Sequence, residues 1–256
     1  MIRCLVFLWL IASVAQSKEL QMVSFNLESG DAQIETLAEY MWNTHRPIDI
    51  WAFQEVEPRW ESYIVNTLNK LGYGEYKGVL GTTGRNDRLM IAYNTAALAL
   101  KDVQELHHIN INNRVRSPLA VTFKDTDSGQ PLTIVNNHLY RSSSKGRLKQ
   151  SHLLARWTKE QENAIIAIGD FNYDYNIVTS KRDPGFDALM KDSSLKWIKP
   201  KQLVSTHCSP HPTILDFVFT TIRSPSTSEI LFPQEDYCPD NKDQSDHRPV
   251  YAAIRL

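Results

Sequence analysis

Cysteine is scarce in this 256-residue chain, with residues at positions 4, 208 and 238 only, and no zinc-binding motif accompanies them. No apolar run approaches the roughly 20 residues that a bilayer-spanning helix needs. There is no low-complexity tract and no internal repeat, which excludes solenoids and long linkers. A formal net charge of −1 leaves no global basic field, so a polyanionic substrate must be met by a local patch. Serine nucleophile elbows, Walker loops and dinucleotide-binding fingerprints are also missing. What remains is an ordinary globule, 42% hydrophobic and 22% charged, long enough to bury a sizeable core.

The first 17 residues read differently from the rest. Arg3 precedes an apolar stretch from Cys4 to Ala12, and small residues follow at Ser13, Ala15 and Ser17. This is the pattern of a secretory signal peptide, 1–17, ahead of one domain spanning 18–256. Cleavage would remove Arg3 and no acid, making the mature chain one unit more negative. It would also remove Cys4 and leave Cys208 and Cys238 to form one disulfide in an oxidising compartment. Closing that loop of about 30 residues is worth on the order of 3 kcal/mol. The expected location is secreted or periplasmic, with no stable membrane anchor and a monomeric state.

From residue 20 onward strand-like and helix-like periods alternate. Strands are expected at 20–27, 48–56, 73–80, 88–94, 97–106, 114–124, 131–139, 163–172, 213–222 and 248–256. Helices are expected at 31–45, capped by Asp31, at 58–72, stopped by Gly72, and at about 146–163. Residues 173–212 and 223–247 read as loop-rich, with a short piece at 185–191. Many strands and few helices predict two face-to-face sheets with helices outside.

The apolar strands end in polar clusters: Asn26, Gln54-Glu55, Asn136-Asn137-His138, Asp170-Phe171-Asn172, Asp216 within its strand, and Ser245-Asp246-His247 before the last one. Singly each is read as a cap or a turn residue. Together they fit a phosphate-ester chemistry. Mg²⁺ takes a few carboxylate or amide oxygens and keeps sites for water and phosphate, which Glu55, Asn26 and Asp246 would supply. A histidine oriented by a carboxylate would deprotonate water.

The ordered segments SFNL, QEV, NNHLYR, IGDFN, LDFVF and SDHRPV resemble the endonuclease/exonuclease/phosphatase superfamily, the deoxyribonuclease-I-like fold, over roughly residues 20–256. The resemblance implies an α/β, four-layer αββα sandwich of two mainly antiparallel sheets. It implies that Glu55 is the principal metal ligand, with Asn26 and Asp246 beside the ion. His247 would be the general base, oriented by Asp216. Asp170 and Asn172 would contact the attacking water and the scissile phosphate. His138 would assist as acid or phosphate ligand, and Arg116 would touch the phosphate. Asp87 or Arg88 would give a supporting acidic or cationic group. The implied cofactor is Mg²⁺ or Mn²⁺, with Ca²⁺ as an alternative.

The expected activity is a secreted metal-dependent phosphodiesterase acting on nucleic acid, DNA before RNA. Arg114, Arg116, Arg141, Lys145, Arg147 and Lys149 would form the local basic patch, and Tyr140, Tyr173 and Tyr175 would stack on bases. The alternatives are a phospholipid, sphingomyelin or inositol-phosphate esterase, and an inactive binding protein on the same scaffold.

Overall fold

The computed structural model describes residues 19–256 apart from 31, 46, 72–73, 114, 235–236 and 239–244. The expected signal peptide, the Asp31 cap, the Gly72 stop and Arg114 therefore lie outside the described residues.

Strict two-residue alternation builds the first sheet. In β1 (Glu19–Asn26) Leu20 and Met22 face one core and Val23 and Phe25 the other; β2 (Ile50–Val56) repeats this with Ile50 and Ala52 against Trp51 and Phe53. Between these two parallel strands runs α1 (Ile34–Thr44), whose Ile34, Leu37, Ala38 and Met41 form one helical face. With α2 (Glu61–Lys70) it covers the outer face of the sheet through Ile64 and Leu68. β3 (Tyr76–Leu80) and β4 (Arg88–Asn94) extend one side.

The second sheet is built from β5 (Leu98–Glu105), β6 (Leu119–Asp125), β7 (Pro131–His138), β8 (Ala164–Asn176), β9 (Lys196–Trp197) and β10 (Thr213–Thr220). Here α3 (Ser144–Lys159) connects the parallel pair β7 and β8, and α4 (Pro184–Asp192) packs beside α3. β11 (Ser226–Ile230) and β12 (Val250–Arg255) return to the first sheet. The strand orders are β11-β12-β1-β2-β4-β3 and β5-β6-β7-β8-β10-β9. Two mixed, mainly antiparallel six-stranded sheets flanked by helices give the expected four-layer α/β sandwich.

An amide bridge pins the two sheets together. Gln54 Nε2 donates to Asn136 Oδ1 at 2.8 Å, and Asn136 Nδ2 donates to the carbonyls of Phe53 and Met90 at 2.8 and 3.0 Å. Both amides are fully buried. An apolar replacement on either side would leave buried polar groups unpaired, at about 1–3 kcal/mol each.

Some boundaries differ from expectation, for physical reasons. The strand expected at 114–124 begins at Leu119, because Pro118 has no N–H and Ser117 N–H donates instead to Thr83 Oγ1 at 2.9 Å. α1 starts at Ile34, and α3 starts at Ser144, where Ser143 caps by accepting from Gly146 N–H. Pro58–Trp60 form a separate 3₁₀ turn before α2. Within the expected loops, β8 runs on to Asn176, α4 fills 184–192, and β11 is a polar strand at the sheet edge. Edge strands need no apolar run, so its sequence gives little signal.

Candidate functional site

Register places the site. Across the second sheet His138 pairs with Asp170, and Asp170 pairs with Asp216, so three polar side chains from β7, β8 and β10 form one row. In the first sheet Asn26 ends β1 opposite Gln54. The pairing of β2 with β4 slips between Phe53 and Val56, and Glu55 adopts φ 57°, a left-handed conformation. That bulge turns Glu55 toward the site although Gln54 before it already points inward. Asn172 has φ 53° and marks a similar irregularity in β8. Gly169, with φ 132°, has no room for a side chain, since a Cβ would meet the Asn137 carbonyl oxygen at 2.1 Å.

These segments converge. Asn26 Nδ2 lies 3.2 Å from Glu55 Oε1 and 3.4 Å from Asp170 Oδ2. His138 Nε2 is 3.4 Å from the same Asp170 oxygen and 3.9 Å from Glu55 Oε1. His247 Nδ1 is bonded to Asp216 Oδ2 at 2.8 Å, and its Nε2 stands 3.9 Å from Asp170 Oδ2. Asn172 N–H donates to Asp170 Oδ1 at 2.9 Å. Ser245 and Glu28 hold the last segment in place: Ser245 Oγ donates to the Asn26 carbonyl at 2.6 Å, and Asp246 N–H donates to Glu28 Oε2 at 2.7 Å.

Crowding so many acids shifts their protonation. Asp170 is buried beside Asp216, and its pKa rises from 3.8 to about 7. For His247 burial works against the imidazolium, but Asp216, Asp170 and Asp246 prevail and lift the pKa from 6.5 to about 10. His138 moves the opposite way, well below 6.5, through burial and the neighbouring Arg116.

Of the remaining expected residues, Arg116 is largely buried and paired with Asp87, with the Glu55 and Asp170 carboxylates near enough to act on its charge. Arg88 donates to the carbonyls of Arg85 and Gly81 at 2.8 and 3.3 Å, and these bonds tie down the 81–85 loop. The carboxylate of Asp246 faces His207, at 3.3 Å, and His247, at 3.9 Å. Cys208 and Cys238 form a disulfide, with Cα atoms 5.2 Å apart. In the basic patch Arg147 is buried and bonded to Asp183 at 2.7 Å and to the carbonyls of Tyr140 and Arg141. It shapes a turn and is not available to a ligand. Tyr173 and Tyr175 are likewise buried among Phe186 and Phe217, which removes them as base-stacking groups. Arg141, Lys145 and Lys149 remain exposed.

The donor set suits a hard cation. Glu55, Asp87 and His138 each offer a ligand atom within 4.8 Å of the others, and Asp87 Oδ1 is a buried oxygen without a hydrogen-bond partner. Asp170, Asp216 and His247 form a second such group, in which Asp216 Oδ1 is also unpartnered. Sequence reading missed His207, although its neighbour Cys208 was singled out. It also missed Glu28, whose role rests on a backbone contact that no motif displays.

Among curated proteins none matches the chain significantly. Solved structures do. An endonuclease/exonuclease/phosphatase family protein of Bacteroides thetaiotaomicron is 19% identical with a TM-score of 0.72, covering 94% of this chain and 100% of its own. A mannosyl-6-phosphatase of Bacteroides thetaiotaomicron VPI-5482 is 18% identical, with TM-score 0.68 over 92% and 99% of the two chains. ANGEL2, described as a 2',3'-cyclic phosphatase, is 15% identical, with TM-score 0.68 over 94% and 97%. At these identities the likeness is one of fold. The sequence model for the Endonuclease/Exonuclease/phosphatase family matches residues 23–247, and the chain belongs to that family.

Proposed function

We propose that this enzyme is a divalent-metal-dependent phosphodiesterase, exported after loss of residues 1–17, that cleaves nucleic acid by activating water. The observation that carries the reading is the meeting of Asn26, His138 and His247 around one oxygen atom of Asp170, with Glu55 beside both Asn26 and His138. Asp216 holds His247 Nδ1 and leaves Nε2 facing the site. The metal-free ring retains its proton up to about pH 10, and with a bound cation opposing that charge the neutral ring that takes a proton from water would be favoured. Asn172, Arg116 and His138 would donate to phosphate oxygens, Asn172 while its Nδ2 also donates to the Leu139 carbonyl at 3.1 Å and Arg116 while paired with Asp87. Burial beside Arg116 keeps His138 neutral, which favours the role of hydrogen-bond donor over that of acid. Glu55 with Asn26 would hold a cation, Mg²⁺ or Mn²⁺ by the hardness of the oxygen donors, with Ca²⁺ as the alternative. Asp87 would join them in place of the expected Asp246, because Asp87 lies within 4.8 Å of Glu55 whereas Asp246 faces His207 and His247. When bound, it withdraws charge from the phosphate. The formed disulfide agrees with an oxidising compartment. Among the described residues no helix is long and apolar enough to cross a membrane.

DNA is favoured as substrate by the exposed Arg141, whose charge acts on His138 and Asp246, followed by Lys145 and Lys149 exposed on α3, a local patch that the net charge does not supply. The test is the purified mature chain, as monomer, on plasmid DNA, RNA, a lipid phosphodiester and a sugar phosphate monoester, each with Mg²⁺ and with chelator. Nicked circles that require Mg²⁺ are expected. Hydrolysis of the lipid or the monoester alone would replace the nuclease reading, and no hydrolysis of any ester would point to a binding protein.

A further inference from the structure

His207 has no task in the reaction above, yet it is held as firmly as the residues that do. Its segment is bridged to that of His247 in antiparallel fashion, with Cys208 N–H donating to the Asp246 carbonyl at 2.8 Å and Arg248 N–H to the Thr206 carbonyl at 2.7 Å. The disulfide at Cys208 staples the same segment. Among the described residues, buried His207 Nε2 has no well-formed hydrogen bond, although Asp246 Oδ2 lies only 3.3 Å away. His247 Nε2 is 3.9 Å from Asp246 Oδ1, and the two imidazoles meet edge-on with centroids 4.9 Å apart. Two ring nitrogens and one carboxylate oxygen thus lie within 4.8 Å of one another.

We propose that His207, Asp246 and His247 form a second cation site, selective for Zn²⁺ over Mg²⁺, whose occupation inhibits the enzyme. Two imidazoles and one carboxylate suit zinc, whereas Mg²⁺ prefers oxygen ligands. Zinc bonds of about 2.0–2.1 Å in a tetrahedron set neighbouring ligand atoms about 3.4 Å apart. The observed 3.3 and 3.9 Å run to the two oxygens of Asp246, and the three ligand atoms lie within 4.8 Å, so side-chain rotation must draw them together by up to about 1.4 Å. Asp216, bonded to His247 Nδ1, orients the ring with Nε2 toward the site, as outer carboxylates do for zinc-binding histidines, and zinc would displace the proton that Nε2 carries near neutral pH. Asp246 is 37% exposed, so the ion has a way in and a water can complete its coordination. The inhibition rests on the reading of His247 as general base, because zinc would occupy the nitrogen that must accept the proton. The binding does not rest on it.

The experiment uses the disulfide-intact chain in saturating Mg²⁺, titrated with Zn²⁺ for inhibition and with Co²⁺ as a spectroscopic substitute. Wild type should develop the visible bands of tetrahedral Co²⁺. Glu55→Gln should keep them. His207→Gln should weaken Co²⁺ binding and raise the half-inhibiting Zn²⁺ concentration, both by about tenfold or more, while zinc-free turnover stays unchanged. X-ray absorption of the zinc-loaded wild type should count two imidazole ligands, a readout that needs no variant to fold. Bands that survive in His207→Gln, bands lost in Glu55→Gln, or fewer than two imidazoles would overturn the site. Tight binding at His207 with turnover intact would overturn the inhibition and, separately, the role given to His247.

Discussion

Two histidines reach toward the same oxygen of Asp170, His138 from β7 at 3.4 Å and His247 from the turn before β12 at 3.9 Å. Both are 4% exposed, yet their protonation diverges: His138 is driven well below 6.5 and His247 up to about 10. Burial disfavours the charged ring in both places, so burial alone does not send the two in opposite directions. The surroundings are. His247 has Asp216 on Nδ1 and two further carboxylates nearby, while His138 has the guanidinium of Arg116 and an unpartnered Nδ1. One half of the site binds protons and the other repels them. A reaction that accepts a proton on one side, once a bound cation has opposed the charge on His247, and donates hydrogen bonds to phosphate on the other has use for both.

Removing the proton-binding half should have the largest effect. His247→Ala and Asp170→Ala should each cost turnover toward the upper end of the roughly 10²–10⁴-fold that positioned proton transfer is worth. Both should keep the wild-type circular-dichroism spectrum, so that lost turnover is read apart from unfolding, while His247→Ala should melt lower because buried Asp216 loses its partner. Near-normal turnover in either would remove the central assignment. Asp216→Asn sharpens the contrast, because it keeps the ring in place and removes its principal carboxylate. The pKa of His247 in the metal-free protein should then fall toward that of His138, as read from imidazole proton shifts, and turnover should drop less than in His247→Ala. An unchanged pKa would show that the field at His247 has another source.

Next in size is the loss of the cation on the other half. Arg116→Met should lower turnover by about 10²-fold, the lower range for one preorganised donor. It should also let the His138 pKa rise, since the nearest positive charge acting on it is gone. If turnover falls while His138 does not move, Arg116 serves the phosphate but does not tune its neighbour.

The halves differ too in how readily their sequences disclose them. The apolar run ending in IGDFN and the SDHRPV segment mark Asp170, Asn172 and His247 directly, and the layer architecture follows from the count of strands and helices. Register is not visible in a single strand, so nothing along the chain says that His138, Asp170 and Asp216 stand in one row. The turning of Glu55 depends on a bulge and a left-handed backbone that carry no side-chain signature. Charge and aromaticity misled where burial was unknown: Arg147 satisfies carbonyls inside a turn, and Tyr173 and Tyr175 complete a core. In each case the residue type was legible and its direction was not, because direction is set by partners distant in sequence.

The smallest effect concerns the resting protein in chelator. Asp170, raised from 3.8 to about 7, holds its proton more tightly when folded than when unfolded. The stability this gives is present at low pH and declines as pH rises from about 4 to 7. His247, raised from 6.5 to about 10, acts in the same sense: its contribution is complete below about 6.5 and is lost as pH passes through about 10. Metal-free melts at pH 5, 7 and 9 should therefore show a falling midpoint, by a few degrees at each step. Asp170→Asn should remove the first step and leave the second. Added Mg²⁺ should raise the midpoint most at pH 9, where the carboxylates are fully charged and their mutual repulsion is greatest. A midpoint that rises from pH 5 to 9 alike in wild type and Asp170→Asn would mean that these acids do not crowd one another, and the contrast between the two histidines would lose its electrostatic cause.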